Sequence, residues 1–163
     1  MTTHTTIETP IGELTLVGRD GVLTGVYFPG HWTRPDPAAW GPRADSGFEE
    51  AERQLLEYLA GDRAAFDLAT EARGDAFGMR VWDMLAAIPY GETTTYGALA
   101  RRLGDPVLAR AVGRAVGSNP LSLVVPCHRV VGSDGRLTGY AGGLERKRFL
   151  LELEAPVVAA RLF

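Results

Sequence analysis

The pattern of apolar and polar positions changes character near residue 70. Before that point, residues 5–9, 12–17 and 22–28 alternate or run apolar with β-branched content, and Pro10-Ile11-Gly12 and Arg19-Asp20-Gly21 interrupt them. Short runs of this kind between turn residues predict three antiparallel strands. Residues 29–46 are rich in Pro, Gly, Asp and Trp, lack a period and read as a loop. Phe48, Ala51, Leu55, Leu56 and Leu59 fall at helical spacing, and Gly61 ends that helix. Residues 62–74 form a connection, with one more strand expected around Ala65 to Ala69. His4 and His31 are isolated in this half and suit surface or packing positions better than ligation.

From Gly74 onward the period is helical. Asp75 can cap a helix that runs to Ile88 with Phe77, Val81, Trp82 and Leu85 on one face. Ile88 to Gly97 reads as a turn followed by a threonine cap. Tyr96 to Leu103 and Val107 to Gly117 are two short helices separated by Gly104-Asp105-Pro106. The pair fits a helix-turn-helix, and equally an ordinary helical hairpin in a core. Val124-Val125-Pro126-Cys127-His128-Arg129-Val130-Val131 reads as an extended segment at the edge of a packed core. Gly132 to Gly135 is a hairpin turn, and Gly139 to Gly143 a glycine-rich loop. Leu144 to Glu154 is the last long helix, and the residues after it read as a loosely docked tail.

The fold class is therefore α+β. A small antiparallel sheet with one helix occupies residues 1–73 and reads as a structural unit. A mainly helical unit, holding the helix pair and the cysteine, occupies residues 74–163. A chain of 163 residues suits one compact domain or two small ones that share an interface. No apolar run approaches the length that crosses a bilayer. The N-terminus lacks a basic region followed by an apolar stretch, so no signal peptide is expected. One cysteine excludes an internal disulfide and a thiolate zinc cluster, and a reducing cytoplasm is the natural setting. No cofactor or metal motif stands out.

Charge modifies this picture. The net charge of −3 argues weakly against a nucleic-acid partner. Yet residues 1–73 carry 6 basic against 12 acidic side chains, and residues 74–163 carry 11 against 8. Sixteen of the seventeen bases are arginine, the residue suited to planar, bidentate contacts with phosphates and bases. The asymmetry gains meaning only where other features gather the arginines.

The second helix of the pair offers such a feature. Ala109, Gly113 and Gly117 lie on one face, and each internal glycine costs a helix roughly 1 kcal/mol relative to alanine. Close approach of another backbone would offset that cost. Leu108, Val112 and Val116 form the neighbouring apolar stripe. Arg110 and Arg114 point together, away from that stripe. Such a helix can press into a nucleic-acid groove, or can pack tightly on another helix with two solvated arginines.

Cys127 followed by His128 is the sharper chemical signal. The thiolate is the nucleophile, and nearby positive charge or a base raises its fraction. Neighbours in an extended segment point to opposite sides, so a bridging water or a bend after Pro126 would be needed to couple them. The imidazole would need an orienting acceptor, for which Glu152 and Glu154 are available downstream. A buried structural cysteine beside a satisfied histidine is the bland alternative.

The combination resembles a known family. Pro126-Cys127-His128-Arg129-Val130 is similar to the active-site signature of the O6-alkylguanine-DNA alkyltransferases, the methylated-DNA–protein-cysteine S-methyltransferases. Ile88-Pro89-Tyr90-Gly91-Glu92-Thr93, Tyr96-Gly97, Ala109-Arg110-Ala111-Val112-Gly113, Asn119-Pro120, Tyr140-Ala141-Gly142-Gly143-Leu144 and Leu150-Leu151-Glu152-Leu153-Glu154 stand in that family's order and spacing. The resemblance covers residues 74–163, while the first half matches in size and layout.

The resemblance implies a single-turnover DNA repair protein. It would take the alkyl group of O6-alkylguanine, and of O4-alkylthymine, from double-stranded DNA after base flipping. Cys127 would accept the alkyl group, and His128 would act through a water as the base. Glu154 would orient His128, and Asn119 would brace the site. Tyr96 would bond the flipped guanine and help turn its phosphate outward. Arg110 would fill the gap in the duplex. The helix bearing Ala109, Gly113 and Arg114 would lie in the minor groove. Val130, Tyr140 and the Ala141 backbone would line the pocket. The protein would be a monomer without DNA, with no membrane partner.

Three departures accompany the resemblance. Gly78 stands where relatives usually have a polar residue. Ala141 stands where some have serine, which removes a hydroxyl and keeps a backbone donor. The first half lacks the cysteine through which some relatives bind a structural zinc, so no zinc is expected. Two other classes remain as alternatives: a non-catalytic sensor of alkylated DNA, in which Cys127 stays unmodified, and a thiol hydrolase.

Overall fold

The computed structural model describes residues 1–30 and 35–162, with side chains described as far as Ala155. His31 lies outside the described residues. Strands β1 (Thr2–Thr9), β2 (Gly12–Arg19) and β3 (Val22–Tyr27) form an antiparallel sheet in the order β1-β2-β3. Thr9 pairs with Gly12 and Arg19 with Val22, so each connection is two residues long. Asp20 and Gly21 have φ of 52° and 80°, the paired positive values that fit the right-handed twist of a hairpin. Within the expected loop, Pro37–Trp40 forms a 3-10 turn that Asp36 caps. His4 packs its ring 5.6 Å from that of Trp40 and bonds the Gly41 carbonyl at 2.9 Å.

Helix α1 (Glu49–Leu59) buries Ala51, Gln54, Leu55, Tyr58 and Leu59, which recur at three and four residues. The strand expected around Ala65 to Ala69 does not form. Instead the chain makes one bridge between Leu23 and Thr70, with Leu23 N–H bonding Ala69 O and Glu71 N–H bonding Leu23 O. The other end of β3 bonds the second half, through Val26 N–H to Pro120 O at 2.8 Å. Edge groups of β3 are thus used by irregular segments, which need no strand of their own.

Helix α2 (Ala76–Ala86) is capped by Asp75, which accepts from Gly78 N–H at 2.7 Å. Gly78 is buried, and a Cβ there would meet Asp75 Oδ1 at 3.0 Å and the Trp82 ring at 3.3 Å. Strand β4 (Thr94–Thr95) runs parallel to β5 (Val130–Val131) and delivers the chain into α3 (Tyr96–Arg102). Thr95 caps α3 by accepting from Ala98 N–H. The helix expected from Val107 begins as a 3-10 turn (Pro106–Leu108) capped by Asp105, and α4 spans Ala109–Gly117. Trp82 Nε1 donates to Ala115 O at 2.8 Å and ties α2 to α4. The last helix, α5 (Leu144–Leu162), continues where a tail was expected. The helix passes through Pro156.

One continuous core runs through both halves. Leu14, Leu16, Val26 and Leu55 share it with Val81, Leu99, Val112 and Leu150. Gly142 is required by this packing, because a Cβ there would sit 2.5 Å from the Phe28 ring. Among the described residues, no helix is long and apolar enough to cross a membrane.

Candidate active site

The segment before Cys127 is tightly folded. Val124 N–H bonds Ser122 O across Leu123, whose φ is 72°. That is a three-residue turn of the strained hand, costing about 1–3 kcal/mol, and the fully buried Leu123 side chain offsets it. Cys127 N–H bonds Val125 O across Pro126, whose φ of −80° and ψ of 67° give the relaxed version of the same turn. Asn119 holds the two arms together. Its Oδ1 accepts from Leu121 N–H at 3.0 Å, and its Nδ2 donates to Val125 O at 2.9 Å. Cys127–Arg129 is then a 3-10 turn, not the extended segment expected. Proline supplies the bend, and the turn places Cys127, His128 and Arg129 in the interior together.

His128 is fully buried, and its Nε2 lies 2.9 Å from Glu154 Oε2. A nitrogen so close to a carboxylate carries the proton, which leaves Nδ1 as the acceptor. Nδ1 has no hydrogen-bond partner among the described residues. Glu154 is itself saturated. Arg129 donates to Oε1 at 2.8 Å and to Oε2 at 3.0 Å, Gly91 N–H approaches Oε1 at 3.3 Å, and the Tyr58 hydroxyl donates to Oε2. Gly91 can present that N–H because its φ of 81° suits glycine. Arg129 also donates to Ile88 O. Glu152, the other carboxylate considered, is exposed.

The electrostatics follow from this wiring. Burial alone would raise the Glu154 carboxyl, but hydrogen bonds from His128 and Arg129, the His128 charge and the Tyr58 hydroxyl hold it down at about 2. Burial holds His128 below the usual imidazole range, against the pull of Glu154. Burial pushes the Cys127 thiol up. The Asn119 amide, the Lys147 charge, the backbone N–H of Cys127 itself and the Tyr140 hydroxyl pull it back. The resting thiol is thus protonated and surrounded by groups that favour its ionised form.

Lys147, the only lysine in the chain, is fully buried. Its Nζ donates to Thr138 O at 2.7 Å and Gly139 O at 3.3 Å, and lies 5.9 Å from the centre of the Tyr96 ring. Burial brings its ammonium down to about 8, while the sulfur pulls it up. Sequence reasoning missed both Lys147 and Tyr58. The available signal was their position: Lys147, Leu150 and Glu154 share one buried stripe of α5, and Tyr58 shares the buried stripe of α1. A charged side chain on a core-facing stripe needs a partner there.

A pocket of about 270 Å³ is lined among others by Tyr96, Ala109, Gly113, Thr138, Tyr140 and Ala141, and the buried Cys127 is not on its wall. Tyr140 is buried with its ring edge-on to Phe28, 5.9 Å away, and its hydroxyl has no hydrogen-bond partner among the described residues. Val130 is fully buried in β5 and is not on the pocket wall. Within this chain α4 packs through Val112, Ala115 and Val116. The only neighbour a Cβ at Gly113 would meet is Tyr96 Cδ1, at 3.9 Å. At Gly113 the small-residue face of α4 therefore meets no tightly packed neighbour among the described residues. It opens onto the pocket, with Arg110 and Arg114 exposed beside it. The arginines do not touch the thiol.

Fold and site together define a class: a thiol–histidine–carboxylate protein whose pocket opens beneath a helix-turn-helix. The chain belongs to the methylated-DNA–protein-cysteine methyltransferase family. Family models described as 6-O-methylguanine DNA methyltransferase match at residues 2–72 for the ribonuclease-like domain and 76–156 for the DNA-binding domain. The methylated-DNA–protein-cysteine methyltransferase of Mycolicibacterium paratuberculosis is 49% identical, over 94% of this chain and 93% of that protein. Its namesake from Methanosarcina acetivorans is 46% identical, over 90% of this chain and 94% of that protein. The crystal structure of Mycobacterium tuberculosis OGT in complex with DNA superposes with a TM-score of 0.88 at 48% identity, covering 94% of this chain and 93% of that one.

Proposed function

We propose that this protein repairs O6-alkylguanine in duplex DNA by moving the alkyl group to its own Cys127, and O4-alkylthymine by the same chemistry. The observation that carries the reading is the arrangement around His128. Nε2–H is committed to Glu154, Nδ1 is left as an acceptor, and a protonated thiol surrounded by donors stands next in the chain. His128 takes the thiol proton through a bridging water. The sulfur attacks the alkyl carbon, an S–C bond forms, and the C–O6 bond breaks. The electron pair leaves with guanine, which donors at the pocket wall stabilise and which is reprotonated.

An alkyl group inside a duplex is beyond reach of a buried thiol, so the nucleotide must be extruded into the pocket between Tyr96 and Tyr140. Helix α4 enters the minor groove with its small face, and Ala109 and Gly113 let the backbone come close. Arg110 occupies the gap left by the base, and Arg114 meets a phosphate. Tyr96 bonds the extruded guanine, Asn119 braces the thiol turn, and the Ala141 backbone completes the surroundings of the base. Residues 1–73 form the supporting unit and residues 74–163 the DNA-binding and transfer unit. The protein works as a monomer, without metal or cofactor, in a reducing cytoplasm that keeps Cys127 as a thiol.

The thioether is stable, so each molecule acts once. With increasing protein on a fixed amount of O6-methylguanine duplex, the repaired fraction should rise linearly and stop at one lesion per protein. Binding without loss of the methyl group would instead mark a sensor of alkylated DNA, and turnover beyond one per protein would mark a hydrolase.

A further inference from the structure

We infer that Tyr58, on helix α1 of the N-terminal half, is a positioning residue that sets the basicity of His128 through Glu154. The inference rests on the alkyl-transfer reading for its consequence, and on geometry alone for its physical content.

The Tyr58 side chain is fully buried. Its hydroxyl donates to Glu154 Oε2 and lies 3.2 Å from His128 Nε2, the nitrogen that bonds the same carboxylate oxygen. Three groups thus converge on one edge of Glu154. The ring cannot swing away, because Phe66 lies 5.3 Å from it and Tyr90 6.2 Å from it, edge-on. A buried hydroxyl with no function in the pair could be replaced by the apolar residues that fill the rest of this core. It is instead aimed at the most heavily bonded carboxylate near the thiol, from 96 residues away in sequence. Burial and the Glu154 charge hold the phenol well above its ordinary range, so it stays a donor across the working pH.

The consequence has a definite sign. A carboxylate that accepts a hydroxyl spreads its charge and attracts an imidazolium less. The charged and titratable groups that face His128 are Glu154 and Lys147 from α5, Arg129 from its own turn, and Tyr58 from α1, with Tyr90 beyond the carboxylate. Tyr58 and Tyr90 stay neutral across the working range, Lys147 loses its charge near 8, and of the two tyrosines only Tyr58 donates to the carboxylate. Removing its hydroxyl leaves Glu154 with a stronger hold on the imidazolium. His128 then titrates at higher pH and is less available as a base at any pH on the acidic limb.

The test uses the full chain with Tyr58→Phe and reads two pH profiles. The first is the 15N shift of the His128 ring in protein labelled at its three histidines, which needs no DNA. The second is the single-turnover transfer rate on an O6-methylguanine duplex. The expected result is a rise of roughly one pH unit in both, which is a tenfold loss of rate on the acidic limb. Should wild type transfer nothing, the alkyl-transfer reading fails while the ring titration still decides the role of Tyr58. A folded Tyr58→Phe protein whose His128 titration superposes on wild type would overturn the inference, even with a lowered melting temperature. If that variant does not fold, 3-fluorotyrosine at position 58 keeps the shape and strengthens the donor. The titration should then move to lower pH, and an unmoved curve rejects the inference.

Discussion

At the scale of single residues, the site is a problem in keeping ionisable groups buried at low cost. Cys127, His128, Arg129, Lys147 and Glu154 are all under 10% exposed. They are tolerable because each charge has a partner: Arg129 on Glu154, and Lys147 on two carbonyls and a tyrosine ring. Lys147 is the cation that favours the thiolate. Lys147→Met should therefore push the Cys127 thiol higher and slow its alkylation by iodoacetamide at neutral pH by roughly tenfold. The comparison should narrow as pH rises through about 8, where Lys147 loses its charge. Cys127 and His128 stood out as a pair in the sequence itself, and Asn119 only through family resemblance. Glu154 could be chosen over Glu152 only through family resemblance. Tyr58 and Lys147 were missed: a core-facing stripe signals that each needs a partner, but those partners lie 96 and about nine residues away and periodicity cannot name them.

At the scale of elements, most helices and the three-stranded sheet were legible, since capping residues and turn dipeptides mark their ends. Two of the departures share a cause. The strand expected at 65–69 and the extended segment at Cys127 rest on local composition where contacts from outside each segment decide, whereas the longer last helix is a difference in bounds alone. The β3 edge captures the first, and Pro126 and Asn119 bend the second. Helix α4 gives the clearest test at this scale. Its Gly113 has room for a Cβ within the chain, so Gly113→Ala should leave the fold intact and raise its stability by up to roughly 1 kcal/mol. The same substitution should weaken duplex binding by tenfold or more, because the open face is the one proposed to enter the groove. Thermal unfolding and a binding titration on one preparation would check both signs.

At the scale of the whole molecule, the sequence pattern changes near residue 70, but the single core that runs across that point could not be read from it. Periodicity shows which face of an element is buried and not which neighbour buries it. Val26 bonding Pro120, Phe28 against Tyr140 and Tyr58 at Glu154 make the first half part of the site's support. That coupling should appear as pH-dependent stability. His128 titrates below its unfolded value, so the native state resists its protonation and stability falls as pH drops below about 6.5. Glu154 is held at about 2, so its contribution is present above its unfolded value of 4.5 and is lost as pH falls toward 2. Glu154→Gln should cost about 3–5 kcal/mol near neutrality, by stranding Arg129, and should lose the lower of the two acid limbs in urea titrations. The central claim is that the thiol itself receives the alkyl group. Peptide mass spectrometry after incubation with an O6-methylguanine duplex tests it most directly. One added methyl group is expected on the peptide that contains Cys127, absent in Cys127→Ser. An unmodified Cys127 peptide from protein that had bound the duplex would contradict it.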